Sequence, residues 1–198
     1  KIFALPKPVK SVIKLFASAL PESVRGKHML MRGVTPVEDR FIGNAFIFDE
    51  KGKKKILKSY DPDVKFTDIT HPIYEKAQNL SMLSKMQYCD LNTWLKGDIL
   101  VKGDRLSMAH SLEARVPFLD REVFEAAKIL CDGDKLSNGT TKYIFRHAFR
   151  DVVNPDTVMR PKKGYPVPVR VWLKDELYDW AKDIIKSPYA DEFINKGE

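Results

Sequence analysis

Apolar residues recur along most of this chain three and four positions apart, and short Pro and Gly signals separate the runs. Between about Pro8 and Leu20, Val12, Ile13, Phe16 and Leu20 fall on one face and predict an amphipathic helix, which Pro21 interrupts. Thr35, Pro36 and Glu38 read as a helix start, with Thr as cap, Pro in the first helical position and Glu reaching back in a capping box. Residues 45–58 are the best hairpin candidate: AFIF, a DEKG turn, then KKIL. Leu83, Met86, Leu91, Trp94 and Leu95 predict a helix from Met82 to about Leu95, and a second helix covers Gly97 to His110. Asp120 is placed to cap a further helix, with Val123, Phe124, Ala127 and Leu130 as its buried stripe. Asn138-Gly139 marks a turn before a helix through Tyr143, Ile144, Ala148 and Phe149. RPKKGYPVPVR, with three prolines and one glycine, predicts an ordered loop. A last long helix runs from about Val171 to Lys186, with Leu173, Leu177, Trp180, Ala181 and Ile184 facing inward.

Composition narrows the class. The chain has 198 residues, 43% hydrophobic and 31% charged, as in an ordinary globular domain or a large part of one. No long uncharged apolar stretch predicts a membrane span, and no signal-peptide pattern opens the chain. Cys89 and Cys131 lie far apart, which fits neither a disulfide framework nor a zinc pattern and makes a reducing cytoplasm the simplest home. The formal net charge of +7 fits a polyanionic partner or a nucleotide enzyme, but solvated basic faces account for it best. The first residues enter a helix without an initiator methionine and the last run into another helical pattern, so a fragment is expected.

Two stretches concentrate candidate chemistry. The first, GDILVKGDRLSMAHSLEARVPFLD, carries Asp98, Lys102, Asp104, Arg105, Glu113, Arg115 and Asp120 among apolar residues. A helix would put Asp98, Lys102 and Arg105 on one face. Val116 before Pro117 favours extended backbone, in which Glu113 and Arg115 point to the same side. Taken as chemistry alone, ion pairs bracing two helices explain this set better than a zwitterion pocket. The second stretch is Arg160-Pro161-Lys162-Lys163-Gly164-Tyr165-Pro166. Its stiffened backbone can offer a lysine to a phosphate at low ordering cost, and a plain solvated loop explains it equally well. None of His28, His71, His110 and His147 falls in a metal-ligand spacing, with His71 expected at a helix start. Cys89 and the methionines read as packing residues. Neither a G-x-x-x-x-G-K-[ST] nor a G-x-G-x-x-G motif is present.

RGKHMLMRGVTPVEDRFIGNAFIF, YCDLNTWLKGDILVKGDRLSMAHSLEARVPFLDREVFEAA, NGTTKYIFRHAF and RPKKGYPVPVRVWLKDEL resemble, in order and spacing, segments of the glutamine-hydrolysing asparagine synthetases. The resemblance covers about Pro21 to Leu177. It implies a mainly α fragment, the helical C-terminal half of an α/β adenine-nucleotide α-hydrolase-like (PP-loop) synthetase domain. Residues 1–198 would then be one incomplete domain, without the N-terminal glutaminase domain, the S-G-G-x-D-S loop or the acidic G-E-G-x-D-E segment. The implied activity is an ATP-dependent amide ligation that adenylates aspartate and transfers glutamine-derived ammonia, giving asparagine, AMP and pyrophosphate. On this resemblance Lys162 matches the catalytic lysine of the R-x-K-x-G-[FY] loop. Asp98, Lys102, Asp104 and Arg105 match a polar helix near the aspartate pocket, and Glu113, Arg115 and Asp120 match scaffold that orients it. ATP and Mg2+ are the implied cofactors, with metal ligands outside this chain. Aspartate, glutamine and ATP are the implied partners, without nucleic acid or membrane, and the full-length protein has room to be a homodimer. The alternatives are a catalytically inactive, synthetase-derived interaction domain, a related amidotransferase with another carboxylate substrate and, remotely, a basic helical nucleic-acid-binding module.

Overall fold

A computed structural model describes residues 5–21, 24–43, 47–164 and 167–196. It is mainly helical, 61% helix against 3% strand, as the periodicity predicts. Helix α1 (Lys7–Ala19) starts behind Pro6 and stops at Leu20, whose extended backbone is what a following proline demands. α2 (Lys27–Val34) follows. The capping box at Thr35 does not form: Thr35 closes α2 by donating its N–H to the Met31 carbonyl, and only a single 3-10 turn, Val37–Asp39, succeeds it. Glu38 is drawn away to Lys85 instead, at 2.6 Å.

The hairpin expected over residues 45–58 is also corrected for its described part. Asp49 caps a helix, α3 (Glu50–Ile56), by accepting the Gly52 N–H at 2.7 Å, and Glu50 pairs with Lys53 at 2.7 Å. An N-cap and an i,i+3 ion pair outweigh the turn propensity of DEKG. Residues 45 and 46 of that expected hairpin lie outside the described residues. α4 (Thr67–Lys76) begins ahead of His71, so His71 lies inside the helix and Pro72 follows it there. α5 (Met82–Asp90) runs without a break through a π-helical stretch, Leu91–Ile99, into α6 (Leu100–Met108), so the two expected helices are one continuous rod.

Further on, a 3-10 turn (Pro117–Leu119) leads to α7 (Arg121–Lys128), capped by Asp120 as expected, and then to α8 (Asp132–Lys135). Strands β1 (Leu136–Ser137) and β2 (Thr140–Thr141) pair antiparallel around Asn138-Gly139. Both turn residues have positive φ, 49° and 73°, the geometry that Asn-Gly favours in a two-residue hairpin. α9 (Tyr143–Ala148), α10 (Pro155–Met159), α11 (Val169–Trp172), α12 (Tyr178–Lys186) and α13 (Pro188–Asp191) complete the chain. The expected helix over 171–186 is broken. Leu177 donates its N–H to the Trp172 carbonyl at 2.7 Å, five residues back, which closes α11 before α12 starts.

The chain divides into two units, Lys1–Phe46 with Val64–Arg115 and Ile47–Asp63 with Val116–Glu198. In the first, Val37, Tyr74 and Cys89 form a core flanked by Phe41 and Met86. The Tyr74 hydroxyl donates to the Phe41 carbonyl at 3.0 Å, and burial pushes both its phenol and the Cys89 thiol up in pKa, so both stay protonated near neutrality. α1 turns Ala17 inward against α2, and Lys27, almost fully buried, donates to the Leu20 carbonyl at 2.6 Å.

Gly43 has a φ of +69°, and a Cβ there would stand 2.5 Å from Asp90 Oδ1, a buried oxygen without a hydrogen-bond partner. Gly43→Ala combines left-handed strain with that collision and is expected to cost about 3 kcal/mol. Chemical denaturation of the variant against the parent measures it.

The Glu38–Lys85 pair ties the 3-10 turn to α5. Burial pushes the Glu38 carboxyl up, but the Lys85 ammonium and its own backbone amide outweigh burial and hold it below its ordinary value. A lowered carboxylate pKa stabilises the fold above the unfolded value, about 4.3, and that stability is lost as pH falls through the lowered folded value. The melting-temperature gap between the parent and Glu38→Gln is therefore expected to be present at pH 7 and to close towards pH 3.

In the second unit, Val158 is the single buried apolar side chain among the described residues. The stripes expected to be buried are helical, as read, but uncovered. Val123 and Phe124 on α7 are exposed, Trp180 is 59% exposed and Ile184 50%. Leu173 and Leu177 are exposed as well, while Leu130 and Ala181 are half-buried. Periodicity reports which face is apolar and is silent on what covers it.

Candidate functional site

The polar helix begins at Ser81, whose Oγ accepts the Ser84 N–H at 3.1 Å. Its ladder widens after Asp90. Asn92 Nδ2 and Thr93 Oγ1 donate to the carbonyls of Tyr88 and Cys89, each at 2.8 Å and each four residues back. Side chains that take those carbonyls leave the backbone N–H groups to reach further, and Leu100 donates to Leu95, five residues back. This widened stretch carries Asp98, whose carboxylate meets the Lys102 ammonium at 3.3 Å, one turn on. Arg105 follows three residues later on the same flank. Asp104, two residues from Lys102, falls on another flank. Asp104 and Arg105 are exposed and form no ion pair with the described residues.

Beyond this rod the chain extends. Arg115 Nη2 meets Glu113 Oε1 at 2.8 Å, so the expected same-side pair forms. Both side chains are largely exposed, and such a pair contributes about 0–1 kcal/mol, too little to fix a geometry alone. Asp120 accepts the Glu122 N–H at 2.8 Å and anchors α7, which is a scaffold role.

Lys162 lies in the second unit, in the non-helical stretch after α10, with an exposed side chain. Proline at 161 restrains its approach, and Tyr165 and Pro166 of the same motif lie outside the described residues. What fixes the entrance to this loop is Arg146, on the last turn of α9. Its guanidinium donates to the carbonyls of Thr141 at 3.1 Å, Arg160 at 3.0 Å and Val158. The fork of guanidinium donors suits convergent carbonyls in a way a lysine cannot match. α9 is held in turn by aromatic contacts. Phe145 packs edge-on against Phe118 of the 3-10 turn, centroids 5.6 Å apart, and against Phe149 at 4.7 Å. The PFLD turn, the helix after the Asn-Gly hairpin and the lysine loop are thus mechanically connected in one unit.

The sequence pattern does not single out Arg146 or the contact between Phe118 and Phe145. Phe118 and Phe145 follow no shared periodicity, since they meet across separate elements. Arg146 left no side-chain signal, because its partners are backbone carbonyls.

Among the described residues, no group of His, Cys, Asp and Glu converges as metal ligands. No helix among them is long and apolar enough to cross a membrane.

Comparison with known proteins identifies the lineage of this helical chain. A family model described as asparagine synthase matches residues 15–197, and the chain belongs to that family. It is 45% identical over 192 residues to asparagine synthetase [glutamine-hydrolyzing] 1 of Bacillus subtilis (strain 168), covering 97% of this chain and 30% of that protein. It is 43% identical over 192 residues to a putative asparagine synthetase [glutamine-hydrolyzing] of Mycobacterium tuberculosis (strain ATCC 25618 / H37Rv), covering 96% and 29% respectively. Asparagine synthetase [glutamine-hydrolyzing] 3 of Bacillus subtilis is 31% identical over 91 residues, 46% of this chain and 15% of that protein. The chain therefore spans about a third of the length of the curated relatives it matches. No solved structure matches significantly.

Proposed function

We propose that this chain is the helical C-terminal part of a synthetase domain that makes asparagine from aspartate, ATP and glutamine-derived ammonia. In this reading the β-carboxylate of aspartate attacks the α-phosphorus of ATP, the bond to pyrophosphate breaks, and β-aspartyl-AMP forms. Ammonia then attacks the acyl carbon, and AMP leaves with the bonding electron pair. Lys162 supplies a held cation beside oxygens that gain charge as the α-phosphorus is attacked. Asp98 and Lys102, with Arg105 one turn on, present charges of both signs, suited to an amino acid that bears both. Glu113, Arg115 and Asp120 serve as scaffold in this reading. ATP would arrive with magnesium, which neutralises the pyrophosphate leaving group, held by residues beyond this chain.

The observation that carries the reading is the three-carbonyl clamp of Arg146 on the loop of Lys162, in a chain of the asparagine synthase family. The uncovered apolar faces of α7 and α12 support its being one part of a larger domain. The test is aspartate-dependent exchange of labelled pyrophosphate into ATP by the complete enzyme that carries this chain. Exchange with aspartate is expected. A folded enzyme that binds Mg-ATP yet exchanges only with another carboxylic acid would belong to a related amidotransferase.

A further inference from the structure

Lys51, Lys54, Lys55 and Lys58 stand three, four and seven residues apart on and just beyond α3, so one flank of that helix is a row of ammonium groups. The segment after α13 is stapled to the end of the same helix. Leu57 and Ile194 form an antiparallel bridge, Lys58 N–H donates to the Phe193 carbonyl at 3.0 Å, and Asn195 N–H donates to the Ile56 carbonyl at 2.7 Å. The Asn195 side chain donates to the carbonyls of Lys55 and Leu57 at 3.2 and 3.4 Å. Between the two segments lies a depression of about 770 Å³, walled on its far side by Asp191, Asn195 and Lys196.

This wall is braced by its own hydrogen bonds. The Lys58 ammonium donates to the Asp191 carbonyl, and the Lys196 ammonium meets the Asp191 carboxylate at 2.8 Å and the carbonyls of Lys186 and Ser187 at 2.7 and 2.9 Å. Asp191, the single carboxylate among the described residues of the depression, is thereby committed, and Lys196 holds it below its ordinary pKa. Lys53 is turned to Glu50, but Lys51 and Lys54 have no carboxylate within ion-pair reach among the described residues. Five ammonium groups border the concavity against one carboxylate among the described residues, an excess of positive charge that an added anion would offset. No aromatic side chain lines the depression to read a base.

We propose that this depression is a binding site for a linear oligophosphate. The row from Lys51 to Lys55 rises about 6 Å along the helix and Lys58 lies beyond its end, which suits a chain of two or three phosphates better than a single carboxylate. The site stands apart from Lys162 and does not depend on the ligase reading.

The experiment is calorimetric titration of the protein with pyrophosphate, tripolyphosphate and ATP at about 50 mM salt, where surface electrostatics are only partly screened. Saturable binding is expected, with ATP no tighter than tripolyphosphate and displaced by it. Lys54→Glu, on an exposed helix face, is expected to weaken tripolyphosphate about tenfold, the loss of one charge-assisted contact. Lys174→Glu changes the net charge equally away from the depression and is expected to leave the affinity within twofold. Circular dichroism checks that both variants fold as the parent does. Binding that does not saturate, equal weakening by both variants, or tighter binding of an oligoglutamate peptide than of tripolyphosphate would overturn the proposal. The last of these would mark the surface as one for acidic protein segments.

Discussion

Replacing Lys162 with alanine is expected to lower aspartate-dependent pyrophosphate exchange about a hundredfold to a thousandfold, the usual effect of removing one preorganised donor from a developing oxyanion. The fold should be indifferent to the change, because the side chain is exposed and makes no hydrogen bond or ion pair among the described residues. Loss of exchange at an unchanged melting temperature is thus the signature to measure. Lys162→Arg separates charge from shape. A guanidinium keeps the charge but spreads it over a plane, so partial recovery would point to a charge requirement, and none to a site that admits only a compact ammonium. Full exchange in Lys162→Ala would remove the lysine from the reacting phosphate.

Arg146→Ala is the second large effect expected. The guanidinium is half-buried, and its loss leaves three backbone carbonyls without their common donor. A cost of about 2 kcal/mol is expected, with the bonds not additive because they share one group. Exchange should fall about tenfold or more, since small displacements of a positioned group are costly to rate. Proteolytic cleavage between residues 160 and 164 should speed up in the variant, and added guanidinium salt should restore part of the exchange. Arg146→Lys tests the geometry: one ammonium can serve one or two of the carbonyls but not all three in their present positions. A variant that loses stability yet keeps full exchange would make Arg146 purely structural.

Much of the helical plan was legible because its signals are local. Asp120 caps α7 as read, Asn138-Gly139 turns the hairpin, and Cys89 packs in the core. The failures share a cause, since each turned on a partner distant in sequence or a closer competitor for the same backbone group. Glu38 left its capping box for Lys85, 47 residues away. Asp49 took the Gly52 N–H and made a helix of the expected hairpin. Asn92 and Thr93 converted two helices into one by holding carbonyls four residues back. For the candidate site, the Asp98–Lys102 and Glu113–Arg115 pairs followed from spacing alone. The importance of Lys162 came from resemblance, and the Arg146 clamp was invisible because it joins α9 to backbone atoms rather than to any recognisable side chain.

That choice of partner has a consequence for how the loop can change. A clamp that grips carbonyl oxygens takes hold of atoms that every residue type possesses. Positions 141, 158 and 160 can therefore exchange side chains without releasing the grip, whereas a change at 146 alters all three contacts at once. The entrance to the loop is insulated from drift at the points where it is held and sensitive to drift at the one residue that holds it.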